Sequence, residues 1–302
     1  MNETKICLLG GDTRQTSLAR CLSSAGYETA VWGVPLQTDE NGGFDGVKCS
    51  DPSDAVAGSR AVILPLPASV DGVRVHTTAF TAEPELQKEL RLTRLMEMLR
   101  PGTLLLAGKP DEVLKSMARN GNIKLIDYYD CEEVQIKNAI PTAEGALALA
   151  MEGLPITLYG AKAIVLGYGR VGQRLAAILH ALGARVTVAA RSQRDLTWAA
   201  VAGCDALPVA DFLKFPGEPD VLFNTIPSPI LSGEVLDRIP PAALIIELAS
   251  APGGVDPTAA RICRQRILRA PSLPGRVAPR TAGKILFETI RRILTEEGVT
   301  PE

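Results

Sequence analysis

Ala161-Lys162-Ala163-Ile164-Val165-Leu166-Gly167-Tyr168-Gly169-Arg170-Val171-Gly172 is the stretch on which the fold turns. A mostly apolar, strand-sized run ends in Gly-x-Gly-x-x-Gly, and helix formers continue over residues 173–182. Such a glycine pattern occurs often by chance; a strand before it and a helix behind it give it weight. In that setting the glycines allow a tight turn and let backbone N–H groups approach a pyrophosphate at the positive end of the helix. The bland alternative is a tight strand-to-helix turn with no ligand. The context favours a Rossmann-type dinucleotide-binding unit, with Gly167, Tyr168, Gly169, Arg170, Val171 and Gly172 at the phosphates.

The next strand, residues 184–189, bears on the choice of nicotinamide cofactor. An NAD enzyme usually carries an acidic residue about 20 positions past the motif to accept the ribose hydroxyls. Here Ala189-Ala190-Arg191-Ser192-Gln193-Arg194 has no acid, and Arg191, Ser192 and Arg194 suit a 2′-phosphate. NADP is therefore the expected cofactor; a solvated turn that tolerates NAD is the alternative. Two later strands, 221–224 and 244–248, end in Asn224-Thr225-Ile226-Pro227-Ser228 and Leu248-Ala249-Ser250-Ala251-Pro252-Gly253-Gly254. Ligands in open α/β sheets lie beyond the carboxyl ends of strands. Asn224, Thr225, Ile226, Pro227, Leu248 and Ala249 are thus expected beside ribose and nicotinamide, or else they are polar strand ends with a proline stop.

Upstream, Lys5-Ile6-Cys7-Leu8-Leu9 before Gly10-Gly11 reads as a buried parallel strand. Further strands are expected at 28–32, 61–64, 103–108 and 124–127, with a periodic helix over 86–99. Alternation of strands and helices predicts two doubly wound parallel sheets joined by crossing helices. The expected domains are 1–141 and 142–280. A helix over 142–154 crosses between them, and a last amphipathic helix over 281–297, closed by Gly298, packs back on the first. Hinges are expected at the two crossings. Asp256-Pro257 reads as the start of a short helix.

Composition excludes several classes. Of the 302 residues, 46% are apolar and 22% charged, the balance of an ordinary globular protein. Lys+Arg of 32 against Asp+Glu of 34 leaves a net charge of -2, which is no field for a nucleic acid. Apolar runs are strand-sized, and Met1-Asn2-Glu3-Thr4-Lys5 lacks the order of a signal peptide, so a cytoplasmic protein with no membrane span is expected. The six cysteines form no C-x-x-C pair, and His76 and His180 stand apart from them, so a metal site is not expected. Cys7 reads as core filler in a strand, His76 as a polar-loop residue, and His180 as a helix residue facing away from the cofactor.

Several segments together go beyond a generic Rossmann pattern. Gly10-Gly11-Asp12-Thr13-Arg14-Gln15, Ile140-Pro141-Thr142-Ala143-Glu144-Gly145, the Gly167 motif, the Asn224 and Leu248 turns, and the run from Ala270-Pro271-Ser272-Leu273-Pro274-Gly275 to Thr281-Ala282-Gly283 occur in one order. In that order they resemble the family of dipicolinate synthase A subunits over nearly the whole chain. The resemblance implies oxidation of dihydrodipicolinate, or a hydrated precursor, to dipicolinate in the mother cell of a sporulating bacterium. It also implies a partner, the flavoprotein-like B subunit of dipicolinate synthase. Self-association is expected as well, as is common for dehydrogenases of this layout. Two other readings stay open: a shikimate-dehydrogenase-like NADP oxidoreductase and a non-catalytic nicotinamide-binding regulatory subunit.

A dicarboxylate substrate needs cations or backbone N–H groups on both sides. Arg14, with Asp12 and Thr13 beside it, follows the first strand and is the expected anchor; a solvated arginine at a helix start is the alternative. Ser228 and Arg280 are further candidates for the substrate, although an exposed cation is more often plain surface. Thr142 and Glu144 are expected to open the crossing helix. There Glu144 would serve either as a dipole partner or as the base that removes a proton during aromatisation.

Overall fold

The computed structural model describes residues 5–36, 44–79, 89–250 and 252–301. It divides into two compact units, one of residues 1–137 and 278–302, the other of residues 138–277. The first contains β1 (Lys5–Leu9), α1 (Thr13–Ser24), β2 (Glu28–Trp32), β3 (Val47–Lys48), α2 (Pro52–Val56), β4 (Ala61–Ile63), α3 (Leu92–Met98), β5 (Leu104–Ala107), α4 (Glu112–Asn120) and β6 (Lys124–Asp127). Helix α5 (Glu132–Gly153) carries the chain across the boundary. The second contains β7 (Lys162–Leu166), α6 (Arg170–Ala181), β8 (Arg185–Ala190), α7 (Gln193–Val201), β9 (Asp205–Pro208), α8 (Val209–Lys214), β10 (Val221–Asn224), α9 (Gly233–Leu236), β11 (Leu244–Glu247), α10 (Ala259–Ile262), β12 (Arg266–Arg269) and α11 (Leu273–Val277). Finally α12 (Pro279–Glu296) returns to the first unit.

Both sheets are parallel and share one strand order, β3-β2-β1-β4-β5-β6 and β12-β11-β10-β7-β8-β9. These are two Rossmann-like α/β domains, and in each the order reverses beside the first strand. A parallel sheet must bury both faces, and alternate residues of the central strands do so. Ile6, Leu8 and Ile63 join a core with α1 and α12, whereas Cys7, Leu9 and Val62 join one with α2, α3 and α4. In the second unit Val165, Phe223 and Ile246 face α5 and α6; Ile164, Leu222 and Ile245 face Phe212 and Leu236.

Four expectations about elements are corrected. Helix α5 begins ten residues before Thr142 and runs through Pro141. A proline costs a helix the N–H of one turn, and here the Thr142 hydroxyl bonds the Asn138 carbonyl at 2.7 Å in that same turn. Thr142 and Glu144 therefore lie inside the helix and not at its start, so Glu144 is no partner for its N-terminal dipole. Of the helix expected over 86–99, residues 86–88 lie outside the described residues, and α3 starts only at Leu92. The segment before it is bound through Val75 N–H to Leu90 O at 2.9 Å. Asp256 does not start its helix directly. Its carboxylate accepts the N–H groups of Thr258 and Ala259, and α10 follows at Ala259. Helix α12 starts at Pro279, two residues before Thr281, with proline in its first turn.

Helix α12 lies along α1 closely enough that Gly283 has no room for a side chain. A Cβ there would stand 2.4 Å from Ser17 Cβ and 2.6 Å from the Arg14 carbonyl oxygen. Gly283→Ala is expected to destabilise the first unit by about 1–3 kcal/mol, the usual cost of overpacking. Chemical denaturation followed by tryptophan fluorescence measures it. An unchanged midpoint would show that the two helices part without cost.

Candidate functional site

The carboxyl edge of the second sheet is built from the ends of β7, β8, β10 and β11. After β7, Gly167 adopts φ +92°, and a Cβ there would meet the Thr225 hydroxyl at 2.4 Å. Gly172, in the first turn of α6, sits against the Gly167 carbonyl, 2.2 Å from where its Cβ would be. Gly169, the N-cap of α6, makes no side-chain cap bond, and a Cβ there would have nothing within 4 Å. Two glycines thus close the turn, and the third presents bare backbone to open space at a helix N-terminus. That is the shape a pyrophosphate fits. Arg170 is exposed and Val171 half-buried, whereas Tyr168 turns inward and joins the core, burial raising its phenol above the ordinary tyrosine value. Its carbonyl accepts the Gln173 side-chain amide at 3.0 Å, a brace that the glycine pattern does not reveal.

Beyond β8, Ser192 is the N-cap of α7, its hydroxyl accepting the Asp195 N–H at 3.1 Å. Arg191 and Arg194 flank it, both exposed and with no partner among the described residues. Two arginines thus bracket the N-cap of a helix there.

The ends of β10 and β11 are tied by a buried carboxylate that pattern reading missed. Glu247 is 6% exposed. Its Oε1 accepts Asn224 Nδ2–H at 2.8 Å and Ala249 N–H at 3.0 Å; its Oε2 accepts the N–H groups of Gly254 and Val255, each at 3.0 Å. Asn224, fully buried, also donates to Ile226 O and accepts Ile226 N–H, both at 3.1 Å. Thr225 donates to Leu166 O at 2.7 Å, and Leu248 N–H donates to Asn224 O at 2.9 Å. The side chains of Asn224 and Thr225 therefore shape the turn; Pro227 and Ser228 are its exposed tip. Gly254 is required here, since its Cβ would lie 2.0 Å from Asn224 Nδ2. Only the exchange of donors and acceptors between distant segments exposes this network, and the one sequence signal was an acid closing an apolar strand.

In the first unit, Arg14 is neither solvated nor extended. It is 5% exposed, its Nε bonding both Asp12 oxygens at 2.9 and 3.0 Å and its Nη2 bonding Asp12 at 2.7 Å and the Leu66 carbonyl. Asp12 is also the N-cap of α1, accepting Arg14 N–H at 2.9 Å. Thr13 is half-buried in the first turn. His76 is half-buried in the loop above, and burial holds its imidazole below the ordinary histidine value, Asp12 opposing that shift and Arg14 adding to it. Thr142 is half-buried in α5 and Glu144 exposed; Arg280 is exposed at the start of α12. Neither Glu144 nor Arg280 has a partner among the described residues. Among those residues no group of three or more His, Cys, Asp or Glu side chains is placed to hold a metal ion, and no helix is long and apolar enough to cross a membrane.

Two Rossmann-like domains, one with a dinucleotide cradle, define a nicotinamide-dependent oxidoreductase layout. Residues 143–257 match the D-isomer specific 2-hydroxyacid dehydrogenase NAD binding domain, and residues 5–129 match the N-terminal domain of the dipicolinate synthase A subunit. The chain is 33% identical to the dipicolinate synthase A subunit of Bacillus subtilis (strain 168) over 97% of its own length and 96% of the relative's. Two solved structures are similar. The dipicolinate synthase A chain from Bacillus subtilis has a TM-score of 0.83 and 31% identity, with 98% of this chain and 97% of that one covered. The A subunit from Bacillus halodurans has a TM-score of 0.85 and 29% identity, with 97% and 98% covered. The chain belongs to the family of dipicolinate synthase A subunits.

Glu247→Ala strands four donors that the carboxylate satisfies, and it is expected to cost about 2–4 kcal/mol of stability. Denaturant titration of purified variant and parent tests this. A loss within error of zero would mean that water replaces the carboxylate freely.

Proposed function

We propose that the chain is the dehydrogenase subunit of a dipicolinate synthase, oxidising dihydrodipicolinate or its hydrated precursor to dipicolinate, with NADP as the preferred cofactor. The observation that carries the cofactor choice is the pair Arg191 and Arg194, exposed and unpartnered among the described residues on either side of Ser192 at the N-terminus of α7. A 2′-phosphate would receive charge-assisted hydrogen bonds there, and no carboxylate stands at the end of β8 to accept ribose hydroxyls in its place. When bound, the nicotinamide accepts a hydride. The residues of this chain would hold the phosphates at positions 167–172 and keep the Asn224 and Leu248 turns rigid beside the ring. Loss of one hydride and one proton from dihydrodipicolinate, with loss of a water as well from the hydrated precursor, leaves an aromatic pyridine, which makes the direction favourable.

Family membership supports the substrate, and the names of the relatives, each the A component of its synthase, support a second, different component as partner. An assay coupled to dihydrodipicolinate synthase, following NADPH absorbance with and without the B subunit, is expected to show cofactor-dependent dipicolinate formation. No dipicolinate in either arm would end this reading. Arg191→Asp is expected to weaken NADPH binding by about tenfold or more while sparing NADH, because the new carboxylate repels the phosphate and can accept ribose hydroxyls. Titration of both cofactors by fluorescence distinguishes this from equal losses, which would show that Arg191 does not read the phosphate.

A further inference from the structure

The carboxyl edge of the first sheet holds polar groups that its own fold does not use. Gln15, in the first turn of α1, is 1% exposed, yet both its amide oxygen and its amide nitrogen lack a partner among the described residues. A buried amide left unsatisfied costs about 1–3 kcal/mol, so its presence here calls for a use. Its side chain lies against Gly11, where a Cβ would be 2.1 Å from Gln15 Cγ. On the same two-glycine turn, the Gly11 N–H donates to the His76 carbonyl at 2.7 Å, and the Gly10 Cβ position is 2.4 Å from that oxygen. The His76 N–H donates to Ala68 O at 2.9 Å, so the backbone of His76 is pinned on both sides while its imidazole has no hydrogen-bond partner among the described residues. This turn follows β1, where the strand order reverses, the place at which α/β sheets receive ligands.

We propose that Gln15 and His76, braced by the Asp12–Arg14 pair, form a recognition site for a carboxylate of the small substrate. The proposal rests on the dicarboxylate reading above and adds the residues that would bind one end of that molecule. Asp12 and Arg14 cancel each other's charge at 2.7 Å, so the site offers hydrogen bonds and no fixed net charge. The Gln15 amide N–H and an imidazole N–H donate to the incoming oxygens. A carboxylate beside the ring favours its protonated form, so a proton passes from buffer to His76 as the ligand binds, and that proton balances the incoming charge. Among the described residues the charged groups bearing on His76 are Asp12 and Arg14. The 65–68 loop packed against it carries no titratable side chain, and on its own loop Arg74 is paired with Asp71 and Glu89.

The sign follows from the two states. Free His76 is held neutral below the ordinary histidine value, and the bound form is raised, so affinity strengthens as pH falls through the histidine range. Calorimetry of dipicolinate binding to the full chain, with and without NADPH, in two buffers of different ionisation heat, measures affinity and proton uptake together. Gln15→Leu and His76→Leu each keep volume and backbone bonds, and each is expected to weaken dipicolinate by about tenfold while leaving NADPH affinity unchanged. The chain has two histidines, so its proton spectrum carries two imidazole C2–H signals; dipicolinate is expected to shift that of His76 and not that of His180. Unchanged dipicolinate affinity in both variants, or no binding to the parent protein, overturns the site. Binding and the His76 shift without turnover would leave the site standing and remove the dehydrogenase reading; turnover untouched by both variants would do the reverse.

Discussion

One buried carboxylate holds the carboxyl edge of the second domain together. Where β10 and β11 stop, the ladder can no longer satisfy backbone N–H groups, and buried donors must find other acceptors. Glu247 collects three of them, from Ala249, Gly254 and Val255, and a fourth from the Asn224 side chain. Hydrogen bonds to an ionised acceptor are roughly twice as strong as neutral ones, which makes one carboxylate enough to fix two loops. The cradle depends on that rigidity. Thr225, held by Leu166 O, sits where a Gly167 side chain would be, so the β10 turn and the glycine turn pack as one piece.

The first domain meets the same need differently. Its capping carboxylate, the half-buried Asp12, is paired with the buried guanidinium of Arg14, whose remaining bond reaches the Leu66 carbonyl of the β4 loop. A buried ion pair returns little net stability against well-packed apolar residues, but removing one partner strands the other charge. The pair is thus better understood as a constraint on the β1 and β4 loops than as a source of stability. Tyr128 supports that floor from just beyond β6, its hydroxyl bonding Leu64 O at 2.9 Å.

What the sequence made legible follows from burial. Central strands such as β1, β7 and β10 are continuous apolar runs ended by a turn signal, and pattern reading finds them. Edge strands β9 and β12 are half exposed, with Asp205 and Arg266 in their first positions, and their period is too short to stand out. The reading starts α5 at Thr142, whereas the turns before Pro141 are helical with Val134 buried in the core shared with α1 and α12, a partnership set by residues far away in sequence. The glycine cradle was legible because its chemistry lies in spacing. Glu247, Gln15 and His76 were not, because their partners, or the lack of them, are set by residues far away in sequence.

The duplicated strand order also shows why two similar edges need not bind alike. Each domain places a glycine turn and a helix after its first strand, so topology alone would allow a dinucleotide at both. Local charge separates them. In the second domain Gly169 caps α6 with no side chain, and the helix N-terminus is left as a bare partial positive charge. In the first, Asp12 caps α1 with its own carboxylate and accepts the N–H that a phosphate would want. A pyrophosphate brought there would find that N–H already bonded to Asp12, and Nε and Nη2 of Arg14 already engaged by Asp12 and the Leu66 carbonyl. Phosphate binding is therefore disfavoured in the first domain by the capping residue itself, which already holds the helix N-terminus that a phosphate would use.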